Sequence, residues 1–212
     1  MNIIWNPQEI EAQSMNIIES YLMDYDFSPV QKEVVKRVIH TTGDPKIISN
    51  IRFHPDAVRA GINALHQGRP IFTDVNMLKA GINRKKIGGF GGEVFCSIAE
   101  PEVGEKAQEW GITRAAAAMR SFGERLNGAV VAIGNAPTAL FEVLDLIEKG
   151  IAQPALIIGT PVGFVGAAES KDIMVEKNLL PYITVTGTRG GSPIAVSMIN
   201  ALLYYKGENI DG

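Results

Sequence analysis

The spacing of apolar residues changes along the chain, and the change predicts two kinds of element. Across residues 6–23, Ile10, Met15, Ile17, Ile18 and Leu22 recur at helical spacing. Ser28-Pro29-Val30-Gln31 then has the form of a capping box with proline at the first helical position. The helix it opens runs to about Thr42, where Gly43 and Asp44-Pro45 stop it. At about 100° per residue, Val30, Val34, Val35, Val38 and Ile39 form one apolar arc of that helix, and Glu33, Arg37 and His40 share the opposite side.

Later in the chain the apolar residues run without a break. Ala129–Ile133, Pro154–Ile158 and Tyr182–Val185 each lead through a Gly-containing turn into a helical stretch, which predicts three successive β-α units. Continuous apolar strands alternating with helices imply a parallel sheet covered on both faces, to which Pro70–Asp74 and Glu93–Cys96 add further strands. The expected fold class is therefore α/β, a three-layer α/β/α arrangement around a mostly parallel sheet, with helices at the N-terminus. There is no repeat, linker or low-complexity tract; the densest glycine punctuation, Gly88-Gly89-Phe90-Gly91-Gly92, reads as a loop. A single domain over residues 1–212 is expected.

Composition adds exclusions. With 46% hydrophobic and 20% charged residues in 212 positions, the chain can bury a substantial core. A net charge of −3 with scattered basic residues lacks the electrostatic footprint of a nucleic-acid binder. The opening residues do not resemble a signal peptide and no apolar run approaches the ~20 residues of a membrane span, so no membrane partner and a cytoplasmic location are expected. Cys96 is the single cysteine, and His40, His54 and His66 lack zinc-ligand spacing, so neither a disulfide nor a protein-held metal is expected.

The candidate chemistry lies in turns and at helix ends. Parallel α/β sheets bind ligands at the carboxyl ends of their strands. There the turns Gly134–Thr138, Gly159–Gly166 and Gly187–Ser192 are expected to offer backbone donors to a ligand with several anionic groups, with Asn135, Thr138 and Arg189 beside them. None of the turns matches a nucleotide fingerprint. Arg37, one turn before His40, forms an anion clamp next to a titratable group, and a helix C-terminus favours a cation there. The residues alone do not separate this reading from a solvated His40 with an ordinary Glu33–Arg37 surface pair, nor His40 from His66, which also ends a helix. His54 is expected to begin one. Cys96 is expected to be structural. Arg114 opposes the dipole at the start of an alanine-rich helix, which calls for a nearby anion or a salt bridge with Glu109; the anion is the preferred reading.

Several longer segments carry a family resemblance. Val130-Val131-Ala132-Ile133-Gly134-Asn135-Ala136-Pro137-Thr138-Ala139-Leu140, Pro161–Lys171, the Arg37-Val38-Ile39-His40 helix end and Thr113-Arg114-Ala115-Ala116-Ala117 together resemble the precorrin-8X (cobalt-precorrin-8) methylmutases over essentially the whole chain. The resemblance implies a flavodoxin-like sheet and a homodimer with the active site near its interface. It also implies a cofactor-free isomerisation in cobalamin biosynthesis, with any cobalt carried by the tetrapyrrole substrate. It makes His40 the catalytic histidine, Arg37 and Ser14 substrate contacts, and Arg114 a further carboxylate partner. The family commonly has Arg-Ser-Phe where this chain has Gln13-Ser14-Met15. Two other classes remain open at this stage: a noncatalytic tetrapyrrole carrier, and a flavodoxin-like nucleotide or flavin binder, which the missing phosphate motifs disfavour.

Overall fold

A computed structural model of the chain describes residues 3–206. Helices α1 (Pro7–Ser20) and α2 (Pro29–Thr42) open it, and α2 is delimited by local chemistry. The Ser28 side chain accepts from the Gln31 N–H while the Gln31 side chain accepts from the Ser28 N–H, and Gly43 closes the helix in the left-handed conformation. After a 3-10 segment at Pro45–Asn50 come β1 (Ile51–Phe53), α3 (Ala57–His66), β2 (Ile71–Thr73), α4 (Asn76–Gly81), α5 (Arg84–Gly88) and β3 (Val94–Phe95). The remainder is α6 (Pro101–Trp110), α7 (Arg114–Phe122), β4 (Val130–Ile133), α8 (Pro137–Glu148), β5 (Leu156–Gly159), α9 (Ala167–Lys177), β6 (Tyr182–Val185) and α10 (Ser192–Tyr204).

The six strands form one sheet in the order β3-β2-β4-β5-β6-β1. All neighbours are parallel except β1, which pairs antiparallel with β6. Without β1 this is the 2-1-3-4-5 order of flavodoxin-like folds, whose switch point lies between the strands here numbered β2 and β4. Alternation along the strands separates two cores. Val130, Ala132, Leu156, Ile158, Ile183 and Val185 face α1, α2, α3 and α10, whereas Val131, Ile133, Ile157 and Tyr182 face α7, α8 and α9. The three-layer expectation holds. The antiparallel β1 and the short helices α4 and α5 were not expected; β1 is a three-residue edge whose pairing with β6 is far away in sequence.

Candidate functional site

A cleft of about 1090 Å³ runs beside α10, between α2 and the α4 end of the chain. Its walls include Arg37 and His40 from α2, Asn83 after α4, and Ser192, Asn200 and Tyr204 from α10. The helical geometry explains the placement. The valine and isoleucine arc of α2 is buried, which turns Arg37 and His40 outward. Arg37 Nη2 lies 2.8 Å from Glu11 Oε1 on α1, while Glu33 is engaged by Lys36 at 3.2 Å, so the Glu33–Arg37 surface pair does not form.

The other two histidines sit elsewhere. His54 Nδ1 accepts from the Asp56 N–H at 3.0 Å, at the entrance to α3. His66 stacks on Phe90 at 4.5 Å between ring centroids, with its Nε2 buried and without a hydrogen-bond partner. Of the three, His40 alone lines the cleft.

The turns at the carboxyl edge of the sheet correct one expectation. The Asp74 side chain, fully buried just beyond β2, accepts from Gly134 N at 3.0 Å and from Asn135 N and Ala136 N at 2.8 Å each. The donors expected to receive an external anion are thus held by the protein's own carboxylate, at the switch point where a flavodoxin-like protein takes its ligand. Burial pushes the Asp74 carboxyl above the usual range, against the pull of those three N–H groups.

The turn after β6 is similarly occupied. Lys171 of α9, fully buried, donates to Pro161 O at 3.0 Å and to Arg189 O at 2.7 Å, and the Gly191 N–H donates to Thr160 O at 2.8 Å. A Cβ at Gly190 would stand 2.3 Å from Thr160 O, so only glycine lets the two turns approach this closely. Burial lowers the Lys171 pKa to about 8.

The expected site residues divide into groups. Ser14 lies one helical turn from Glu11, and its hydroxyl donates to Ile10 O at 2.8 Å; it does not line the cleft. Arg189 Nη2 meets Asp44 Oδ2 at 2.9 Å, just past the end of α2. Asn135 is exposed at the β4–α8 turn. On the opposite face of the sheet, Thr138 Oγ1 and Thr113 Oγ1 are 2.7 Å apart in a groove of about 700 Å³, where Glu142 receives a bidentate contact from Arg120. Arg114 lies against Gly104 of α6, and no acidic partner for it occurs among the described residues; the alternative of a Glu109 salt bridge does not form. Also among the described residues, no group of three or more His, Cys, Asp or Glu is placed to hold a metal ion, and no helix is long and apolar enough to cross a membrane.

This architecture is matched by a family model, precorrin-8X methylmutase, over residues 9–205. The chain belongs to the precorrin-8X methylmutase family. It is 42% identical over 196 residues to the cobalt-precorrin-8 methylmutase of Priestia megaterium, covering 92% of this chain and 87% of the relative. To the precorrin-8X methylmutase of Pseudomonas aeruginosa it is 43% identical over 172 residues, 81% and 82% of the two chains. The solved precorrin-8x methyl mutase of Thermus thermophilus superposes with a TM-score of 0.83 at 37% identity, over 92% of this chain and 95% of that one. Members of this family are enzymes of cobalamin biosynthesis that move a methyl group, so the carrier and flavin readings fall away.

Proposed function

We propose that the chain acts as one domain that isomerises precorrin-8 or cobalt-precorrin-8, moving a methyl group between adjacent ring C carbons to give hydrogenobyrinate or cobyrinate. The observation that carries this reading is the pairing of Arg37 and His40 on the wall of a cleft large enough for a macrocycle, in a chain of this family. Protonated His40 hydrogen-bonds or donates to the macrocycle near ring C. It draws electron density from the ring as the methyl carbon leaves one carbon and bonds to its neighbour. The proton then returns to His40. Substrate and product are isomers, so no co-reactant is consumed and no protein-held cofactor is needed; any cobalt arrives in the macrocycle.

Arg37 binds a peripheral carboxylate of the substrate, exchanging it for Glu11; Ser14 and Arg189, the latter paired with Asp44, stand outside the cleft lining and meet parts of the substrate that extend beyond it. Arg114, Asn135 and Thr138 serve substrate carboxylates from outside this cleft. Their placement away from His40, two of them across the sheet, supports a homodimer in which one copy completes the site of the other.

The test is His40→Ala incubated with metal-free and cobalt-bearing precorrin-8 while the visible spectrum is followed. Turnover is expected to fall by a factor of roughly 100 or more, as for loss of a general acid-base group, with substrate binding retained. Conversion at the parental rate would remove His40 from the mechanism, and parental protein silent with both substrates would overturn the activity. His66→Ala, which alters a histidine outside the cleft, is expected to turn over normally.

A further inference from the structure

At the Tyr204 end of the cleft a smaller recess of about 300 Å³ opens, sharing Asn83 and Tyr204 with the main cleft and otherwise lined by Lys85, Lys86, Gly89 and Phe90. The Lys86 ammonium lies 5.2 Å from the centroid of Phe90 and 5.6 Å from that of Tyr204, so two aromatic faces fix its position. Of the other cations lining the cleft and recess, Arg37 is paired with Glu11, whereas Lys206 and Lys85 are unpaired among the described residues but are not held over an aromatic ring as Lys86 is. Lys86 has no carboxylate partner among the described residues.

The wall beside it is held rigid. Asn83 N donates to Asn200 Oδ1 at 3.0 Å, Asn200 Nδ2 donates to Gly81 O at 3.2 Å, and Asn83 Oδ1 accepts from Lys86 N at 2.9 Å. Asn83 Nδ2 donates to the Tyr204 hydroxyl. A phenol has one proton, and because Tyr204 accepts from Asn83 that proton remains available to a ligand. An ammonium held over aromatic faces and a phenolic donor thus stand at one corner, with an anion as their missing complement.

We propose that this recess is a carboxylate subsite, in which Lys86 is the counter-ion and Tyr204 the hydrogen-bond donor for one peripheral acetate or propionate arm of the macrocycle. The inference rests on the methylmutase reading and specifies how that substrate is held. With Arg37 and His40 on one wall and Lys86 at the far end, the cleft fixes the ring by two separated anchors. A macrocycle whose arm at this corner is amidated or esterified loses the ion pair, so the recess also selects for the free acid.

The experiment measures equilibrium binding of the fully carboxylated corrinoid product to the parent protein, Lys86→Met, Lys86→Arg, Tyr204→Phe and Lys177→Met. The Lys177 variant removes one positive charge outside the cleft, from a residue paired with Glu148. Lys86→Met is expected to weaken binding on the order of tenfold or more, as for loss of a hydrogen bond between charged groups. Lys86→Arg is expected to recover most of that loss, Tyr204→Phe to weaken binding severalfold, and Lys177→Met to keep the parental Kd. The proposal is overturned if Lys86→Met binds within twofold of the parent, or if Lys177→Met loses as much, which would reduce the effect to net charge. Failure of the parent to bind the product at all would instead overturn the methylmutase reading on which the subsite rests.

Discussion

Lys171 offers a measurement in which burial has a definite sign. Its ammonium is fully buried and its pKa is lowered from 10.5 to about 8, with desolvation the main cause and the neighbouring Asp172 opposing it. In the unfolded chain the same lysine keeps its ordinary value near 10.4. Below pH 8 both states hold the proton, and the folded state carries the full cost of a buried charge. Between about 8 and 10.5 the folded state releases its proton first, the unfolded state binds more protons, and stability rises with pH. At 1.36 kcal/mol per pH unit, the difference is about 3 kcal/mol over that window. The two carbonyl acceptors, Pro161 O and Arg189 O, favour the ammonium and reduce the gain to about 1–3 kcal/mol.

The assay is urea denaturation of the parent and Lys171→Met at intervals from pH 7 to pH 10.5. Taking the difference between the two proteins cancels groups common to both, among them Tyr182, whose hydroxyl burial pushes up. The parent is expected to gain on the variant by about 1–3 kcal/mol across the window, whatever their order at pH 7. A difference that stays flat, or that shrinks as pH rises, would refute the claim that burial controls the charge of Lys171.

Asp74→Asn turns an amino group toward one of three backbone donors and removes the charge from the other two bonds; a loss of about 2–4 kcal/mol is expected, read as a melting temperature lower by roughly 5–15 °C. Gly190→Ala drives a methyl group onto the carbonyl oxygens of Thr160 and Pro161, which lie 2.3 Å and 2.5 Å from the new atom. It is expected to cost about 2–3 kcal/mol by urea denaturation, and a neutral result would show that the two turns can separate cheaply.

The parts of the fold that could be read from the sequence are those fixed by local rules. The all-apolar runs at β4, β5 and β6 can be buried only between two layers, and the Ser28–Gln31 box with Gly43 bounds α2 without help from the rest of the chain. β1 escaped because Ile51-Arg52-Phe53 becomes a strand only by pairing with residues 130 to 134 positions later. The same distinction governs the site. His40 and Arg37 were legible from the face of a helix, whereas the occupation of the Gly134 turn depends on Asp74, some 60 positions earlier. Lys171 did leave a trace: Ala167, Ser170, Lys171 and Met174 share the buried side of α9, a core position held by a charge. The recess at Lys86 left none, since it is assembled from α5, Phe90 and the end of α10.

Both margins of the sheet are brief: β3 has two residues and β1 has three. On β1 the guanidinium of Arg52 folds back onto Ser49 O and Ile51 O, at 2.7 Å and 2.9 Å, engaging carbonyls along the margin. Margins this short and blunted give an incoming strand too few open backbone groups to build a ladder. Strand-by-strand polymerisation is therefore disfavoured from either side, which protects a molecule whose parallel interior strands are almost wholly apolar. It also constrains the proposed homodimer: an interface between two copies would run through helices and loops, where side chains set the orientation, rather than continue one sheet into the next.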